Sequence, residues 1–177
     1  MSRKQLNFRE TRPDFAAYLH HIQNNRHPIS LLLDQVRDIR NIGAIFRLAD
    51  AARIAKIYFY KMEDVQLNIN FRRVARSTEQ FIIYESLHTL EQVNELAQTH
   101  QFVALEWTND SVPYHEIMIR EPILLALGNE ETGVSDEILQ MVETCIHIPM
   151  YGIKNSMNVA MATGIAVYDL LSKLMKE

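Results

Sequence analysis

Six short apolar runs recur along the chain, at Ser30 to Asp34, Ile57 to Tyr60, Phe81 to Tyr84, Phe102 to Leu105, Ile123 to Leu127 and Cys145 to Ile148. They are brief and almost continuously hydrophobic, the pattern of strands covered on both faces. Segments of helical spacing lie between them, most clearly at Thr89 to Thr99, Ser135 to Val142 and Asn155 to Lys176. The alternation predicts an α/β fold, a parallel sheet with helices on both faces. In the last segment Val159, Ala162, Thr163, Ala166, Val167, Leu170, Leu171 and Leu174 form the stripe of a helix that packs on the sheet or on another subunit, with Asn155 or Ser156 as its expected N-cap. Pro13 and Pro28 punctuate an N-terminal extension, residues 1–28, with one helix expected around Phe15 to Asn24; residues 29–177 form the α/β domain.

The 177 residues suit one core, and 47% hydrophobic with 23% charged residues excludes a disordered chain. No apolar run approaches the ~20 residues of a bilayer-spanning helix, and the opening MSRKQLNFRETRPDF has no secretory hydrophobic stretch, so the expectation is a soluble, cytoplasmic protein. The single Cys145 cannot form an internal disulfide and reads as a small buried hydrophobe. Eighteen Lys and Arg against 22 Asp and Glu give a net charge of -4, so any nucleic-acid contact must be a local patch. Arg3, Lys4, Arg9 and Arg12 form one candidate and Arg72, Arg73 and Arg76 another, with Arg53 and Lys56 as further contributors; solvated surface charge is the alternative for each. The seven histidines show no ligand spacing, so no metal is expected.

Glycine is scarce, and three glycine-bearing segments follow predicted strands, where open α/β sheets bind ligands. In Asp34 to Asp50, Ile42, Ile45, Phe46 and Ala49 share a helical face for burial, while Gly43 and Arg47 share another. Arg47 would lie over Gly43, whose missing Cβ leaves room for a ligand or a second chain; the alternative is an exposed arginine paired with Asp50. In Leu124 to Glu137, a strand enters an acidic loop bracketed by Gly128 and Gly133, then a helix capped by Ser135. Val134 stands where a P-loop needs Lys, which disfavours a nucleoside triphosphate and favours a cationic or hydrogen-donating ligand, or a basic partner. In Ile146 to Val159, Ser156 is explained by capping, whereas Asn158 at a helix start implies a bond to something else.

Together these segments resemble the three motifs of the SPOUT superfamily, in its SpoU (TrmH-like) branch of RNA 2'-O-ribose methyltransferases. Asn41-Ile-Gly43-Ala-Ile-Phe-Arg47 resembles the first motif, Leu127-Gly-Asn-Glu130-Glu-Thr-Gly133-Val-Ser135 the second, and Ile148-Pro-Met150-Tyr-Gly152 through Ser156-Met-Asn158-Val the third. The resemblance implies a C-terminal deep trefoil knot, a homodimer whose site is completed across the interface, and S-adenosylmethionine as cofactor. It assigns catalysis to Arg47, Asn41, Glu130, Ser156 and Asn158, and cofactor contacts to Leu127, Gly128, Asn129, Ile148, Met150, Ser156 and Met157. Arg72, Arg73, Arg76 and Arg53 would meet the RNA. Ala52-Arg53 stands where the family usually has an aromatic-glycine pair, and Ala160 where it often has Ser.

The implied reaction methylates a ribose 2'-hydroxyl of structured RNA, transfer RNA being favoured slightly over ribosomal RNA. Arg47 would hold the adjoining phosphate and stabilise the developing alkoxide, accepting the proton itself only where the bound phosphate permits. Asn41 would orient Arg47 or the ribose, and Glu130 would fix its loop or pair with Arg47. One rival is a non-catalytic RNA-binding relative that retains the fold, disfavoured because all five catalytic positions are filled. The other is a small-molecule enzyme with a Rossmann-like site, disfavoured by the lack of a G-x-G-x-x-G.

Overall fold

The computed structural model describes residues 3, 14–62, 73–76 and 78–176. Asp14 caps α1 (Phe15–Asn24), its side chain accepting a hydrogen bond from Ala17 N. The chain continues through β1 (His27–Asp34), α2 (Ile39–Ala51), β2 (Ile54–Tyr60), a 3-10 turn (Thr78–Gln80), β3 (Tyr84–Leu87), α3 (Leu90–Ala97) and β4 (Gln101–Leu105). It ends with β5 (Val112–Pro113), β6 (Ile123–Leu127), α4 (Asp136–Leu139), β7 (Thr144–His147) and α5 (Val159–Leu174). The strands lie in the order β3-β2-β1-β6-β4-β7-β5. Every neighbouring pair is parallel.

The near-continuous apolar runs are strands because both faces are covered. Along β1 and β6, alternate residues enter opposite cores: Leu31, Leu33, Leu125 and Leu127 meet Ile45, Phe46, Val167 and Leu170 on one side. Leu32, Leu124 and Ala126 meet Tyr58, Val93 and Ile138 on the other. Phe46 also stacks on Phe59 at 6.0 Å between centroids.

Strand register places the site. Leu33 and Leu105 both pair with Leu127, so β1, β6 and β4 end level and the next residues, Asp34, Gly128 and Glu106, emerge abreast at the carboxyl edge. Leu105 also pairs with Ile146, which brings His147 alongside Glu106.

The departures from sequence expectation have local causes. The third strand is Tyr84–Leu87 rather than Phe81 to Tyr84, because Phe81 closes the 3-10 turn, its N–H bonding Thr78 O at 3.0 Å, and its ring packs on Phe15. The sheet continues into Glu85 and Ser86, whose polarity is tolerated on an edge strand. The two-residue β5 carries no periodic signal, and its Pro113 sits on the opposite edge, where a missing N–H costs nothing. β1 starts at His27, ahead of the expected boundary at 29. The last helix begins at Val159 with Asn158 as N-cap, not Asn155 or Ser156. Among the described residues no helix is long and apolar enough to cross a membrane.

Leu125, fully buried in the central strand, tests this core. Leu125→Ala should lower stability by about 2–5 kcal/mol, read as a reduced urea midpoint with an unchanged m-value.

Candidate active site

The three glycine-bearing segments converge at the carboxyl edge through one chain of hydrogen bonds. Asn158 Oδ1 caps α5 by accepting from Ala160 N at 3.0 Å and Met161 N at 3.2 Å. Its Nδ2 donates to Asn41 Oδ1 at 2.8 Å, and Asn41 Nδ2 donates to Glu130 Oε1 at 2.8 Å. Glu130 also accepts from the backbone N–H groups of Arg37 and Asp38, each at 3.2 Å. Burial opposes the Glu130 charge, but the donors from Asn41, its own N–H, Arg37 and Asp38 hold its carboxyl below the ordinary range.

The second loop is clamped from beneath. Asp34 Oδ2 accepts from Ser135 N at 2.7 Å, and Glu106 Oε2 accepts from Val134 N at 2.9 Å. Asn129 and Gly133 exchange backbone bonds at 3.0 Å. Asn129 also donates to Gln35 O at 2.7 Å, and Gln35 turns that carbonyl inward at a φ of 57°. Gly128 has no room for a side chain, since an added Cβ would meet Gly133 C and Val134 N at 2.2 Å. Gly133 has a φ of +72° and rests on Glu106.

These elements enclose a cavity of about 700 Å³, lined by Leu105 to Trp107, Gly128 to Gly133, His147, Ile148, Met150, Asn155 to Val159 and Ala162. Its apolar walls are Leu105, Ile148, Met157, Val159 and Ala162. Its charged groups are the carboxylates of Glu106, Glu130 and Glu131, and no lysine or arginine stands among the lining residues described. The arrangement suits an amphiphilic ligand with cationic or hydrogen-donating groups.

Of the expected site residues, Gly128, Asn129, Glu130, Ile148, Met150, Ser156, Met157 and Asn158 line the cavity. Leu127 does not, because its side chain is buried in the core. Asn41 joins through Asn158 rather than by facing the cavity, and it bonds Glu130 rather than Arg47. Arg47 is exposed on α2, outside the lining, with no hydrogen bond or ion pair among the described residues, to Asp50 or to Glu130.

The expected room above Gly43 is taken, since an added Cβ would lie 2.7 Å from Val74 Cγ1. Exposed Arg73 and Arg76 flank Val74, whereas Arg72, with Lys4, Arg9 and Arg12, lies outside the described residues. Arg53 precedes β2 and bonds His27 at 2.9 Å, at the end of the sheet opposite the cavity. The roles of Ser156 and Asn158 are reversed: Asn158 is the cap, and Ser156 makes no hydrogen bond among the described residues. Ser135 holds the N-cap position of α4, but its Oγ is buried without a partner among the described residues, and Asp34 takes its N–H instead.

Sequence reasoning missed Glu106, Trp107 and the clamping role of Asp34. Asp34 and Glu106 each stand at the end of an apolar run, and a carboxylate at a strand's carboxyl end is the signal that would have found them. Among the described residues no group of three or more His, Cys, Asp or Glu is placed to hold a metal ion.

A seven-stranded parallel sheet with a cavity at its carboxyl edge, lined by two of three segments that share one hydrogen-bond chain, defines an α/β protein with a ligand-sized site. Residues 28–168 match the SpoU rRNA Methylase family, and the chain belongs to that family. It is 30% identical over 150 residues to the tRNA (guanosine(18)-2'-O)-methyltransferase of Aquifex aeolicus, covering 84% of this chain and 71% of that one. It is 27% identical to a 23S rRNA (guanosine-2'-O-)-methyltransferase of Pasteurella multocida, covering 85% of this chain but 62% of that protein, so it spans about six-tenths of this ribosomal RNA relative. The solved Aquifex aeolicus TrmH/SpoU tRNA modifying enzyme superposes with a TM-score of 0.79 at 28% identity, covering 91% of this chain and 84% of that one. The AdoMet-bound rRNA methyltransferase of Sinorhizobium meliloti gives 0.77 at 28% identity, with 86% and 60% covered.

Two outcomes test the chain of bonds. Asn158→Ala removes the cap of α5 and the donor to Asn41, and should cost at least the ~0.5–2 kcal/mol of a lost N-cap, seen in thermal unfolding followed by circular dichroism. Because the Glu130 pKa is depressed, its ties contribute fully above the ordinary value of 4.5 and are lost as pH falls through the lower folded-state value. Glu130→Gln should therefore be less stable than the parent at neutral pH, with the gap closing in acid when urea midpoints are measured across pH.

Proposed function

We propose that the cavity binds S-adenosylmethionine and that the protein methylates a ribose 2'-hydroxyl of structured RNA. The observation that carries this reading is the Glu130–Asn41–Asn158 chain, which ties the first family motif to the two motifs whose residues line the cavity. The cavity's apolar walls suit a nucleoside, and its three carboxylates with no lining cation suit a ligand bearing a sulfonium and an ammonium group. Membership of the SpoU family and the AdoMet-bound relative support the same cofactor. Transfer RNA is the preferred substrate class, since the tRNA-modifying relative is matched over more of its length than the ribosomal RNA relative.

When bound, the cofactor supplies an electrophilic methyl group. This chain aligns the ribose hydroxyl with it, and the hydroxyl's proton leaves to water as the oxygen takes up the methyl group. Glu130 and Asn41 hold the loops in register, Asn158 fixes the start of α5, and backbone at Gly128, Ile148 and Met157 shapes the cofactor bed. Arg47 grips the phosphate next to the target ribose and stabilises charge growing on the 2'-oxygen. Arg73, Arg76 and the basic positions of the N-terminal extension, residues 1–28, add phosphate contacts.

The catalytic domain, residues 29–177, works as a homodimer with its C-terminal part threaded as a trefoil knot. Met161, Ile165 and Tyr168 form an exposed apolar stripe on α5, which packs against α2. An isologous contact there brings Arg47 toward a cavity that its own chain leaves it outside.

Arg47→Ala should lower methyl transfer by at least about 100-fold while calorimetric affinity for the cofactor stays unchanged, since the side chain is exposed and outside the cavity lining. Methylation at the parental rate would overturn the role given to Arg47, and absence of cofactor binding by the parent would overturn the reading as a whole.

A further inference from the structure

Glu106 belongs to none of the three motifs, yet it occupies a central position on the carboxyl edge. Register places it between Gly128, which follows β6, and His147 of β7, on the floor of the cavity. Its backbone N–H is fixed to Ile146 O at 2.9 Å. Oε1 accepts from Trp107 N at 3.0 Å and Oε2 from Val134 N at 2.9 Å. A carboxylate has about four acceptor sites, so each oxygen keeps one open. Glu130 differs, since its carboxylate is already committed to Asn41 and to the N–H groups of Arg37 and Asp38.

A glutamine, with one acceptor oxygen, could serve only one of these two amides, so the carboxylate holds both, and each of its oxygens still has an unused acceptor site. A carboxylate on a cavity floor without any lining cation offers its open acceptor sites to donors on a ligand that displaces water there. Beside it, Trp107 is 56% exposed, its ring stacked on His147 at 5.7 Å and 13°. The His147 Nδ1 lies 2.9 Å from Ser111 Oγ, which steadies that ring. An open-faced carboxylate next to a flat aromatic wall matches a nucleoside, with vicinal hydroxyls for the first and a base for the second.

We infer that Glu106 accepts hydrogen bonds from the ribose 2'- and 3'-hydroxyls of the cofactor's adenosine, and that the site thereby selects ribonucleoside over deoxyribonucleoside ligands. This rests on the cofactor reading proposed above.

Trp107 is the chain's single tryptophan, and its fluorescence reports binding beside Glu106, with calorimetry as an independent measure. The probes are S-adenosylhomocysteine and its 2'-deoxy analogue. The parent should bind the ribose form at least about tenfold more tightly, the discrimination expected of one hydrogen bond to a charged group. Glu106→Ala should bring that ratio close to one, and Glu106→Gln, which can still accept from Val134 N–H, should reduce it. A purely structural role for Glu106 would weaken both ligands together, and an unchanged ratio in either variant overturns the assignment while leaving the cofactor reading in place. A parent protein that binds neither probe overturns both.

Discussion

The amide of Asn41 is the constraint on which the site depends. Through one donor and one acceptor it joins Glu130, 89 positions away, to Asn158, 117 positions away. Neither bond is local, so neither forms until the sheet has brought β1, β6 and the start of α5 to the same edge. Asn41 is itself buried, so losing either partner would strand a polar group away from water. The site is thus a by-product of completed folding, and its polar residues double as structural ties.

A second set of contacts shapes the loop after β6. That strand lies between β1 and β4, and each neighbour ends in a carboxylate that takes a backbone N–H from the returning loop. Asp34 and Glu106 therefore hold consecutive residues, Ser135 and Val134, from the two flanks. The fold demands close backbone approach here, which explains why Gly128 has no space for a side chain and why Gly133 sits directly on Glu106. The acidic loop is rigid at its base and turns Glu130 toward Asn41.

Much of this was legible in the residues. Buried parallel strands carry a strong signal, and the central ones appear where continuous apolar runs predict them, as does the stripe of α5. The candidate catalytic and cofactor positions came from resemblance to three motifs, since residues that meet only after folding leave no periodic trace. What escaped was non-periodic: a two-residue edge strand, a polar edge strand displaced by a 3-10 turn, and carboxylates whose partners are backbone amides far along the chain. Local reasoning also misassigned two neighbours. Capping preference fits Ser156 and Asn158 alike, and the helix starts at Val159, where Asn158 caps it and also bonds Asn41.

The 16-residue α5 carries Asn158 at its first turn and a solvent-facing row, with Met161 at 63% and Tyr168 at 52% exposure, along its length. A helix is stiff along its axis and shifts as a body against its neighbours. A displacement of that row would therefore carry Asn158 with it relative to Asn41. The outer face of α5 and the loop geometry are in this sense joined through one rigid body, with the helix as the lever between them.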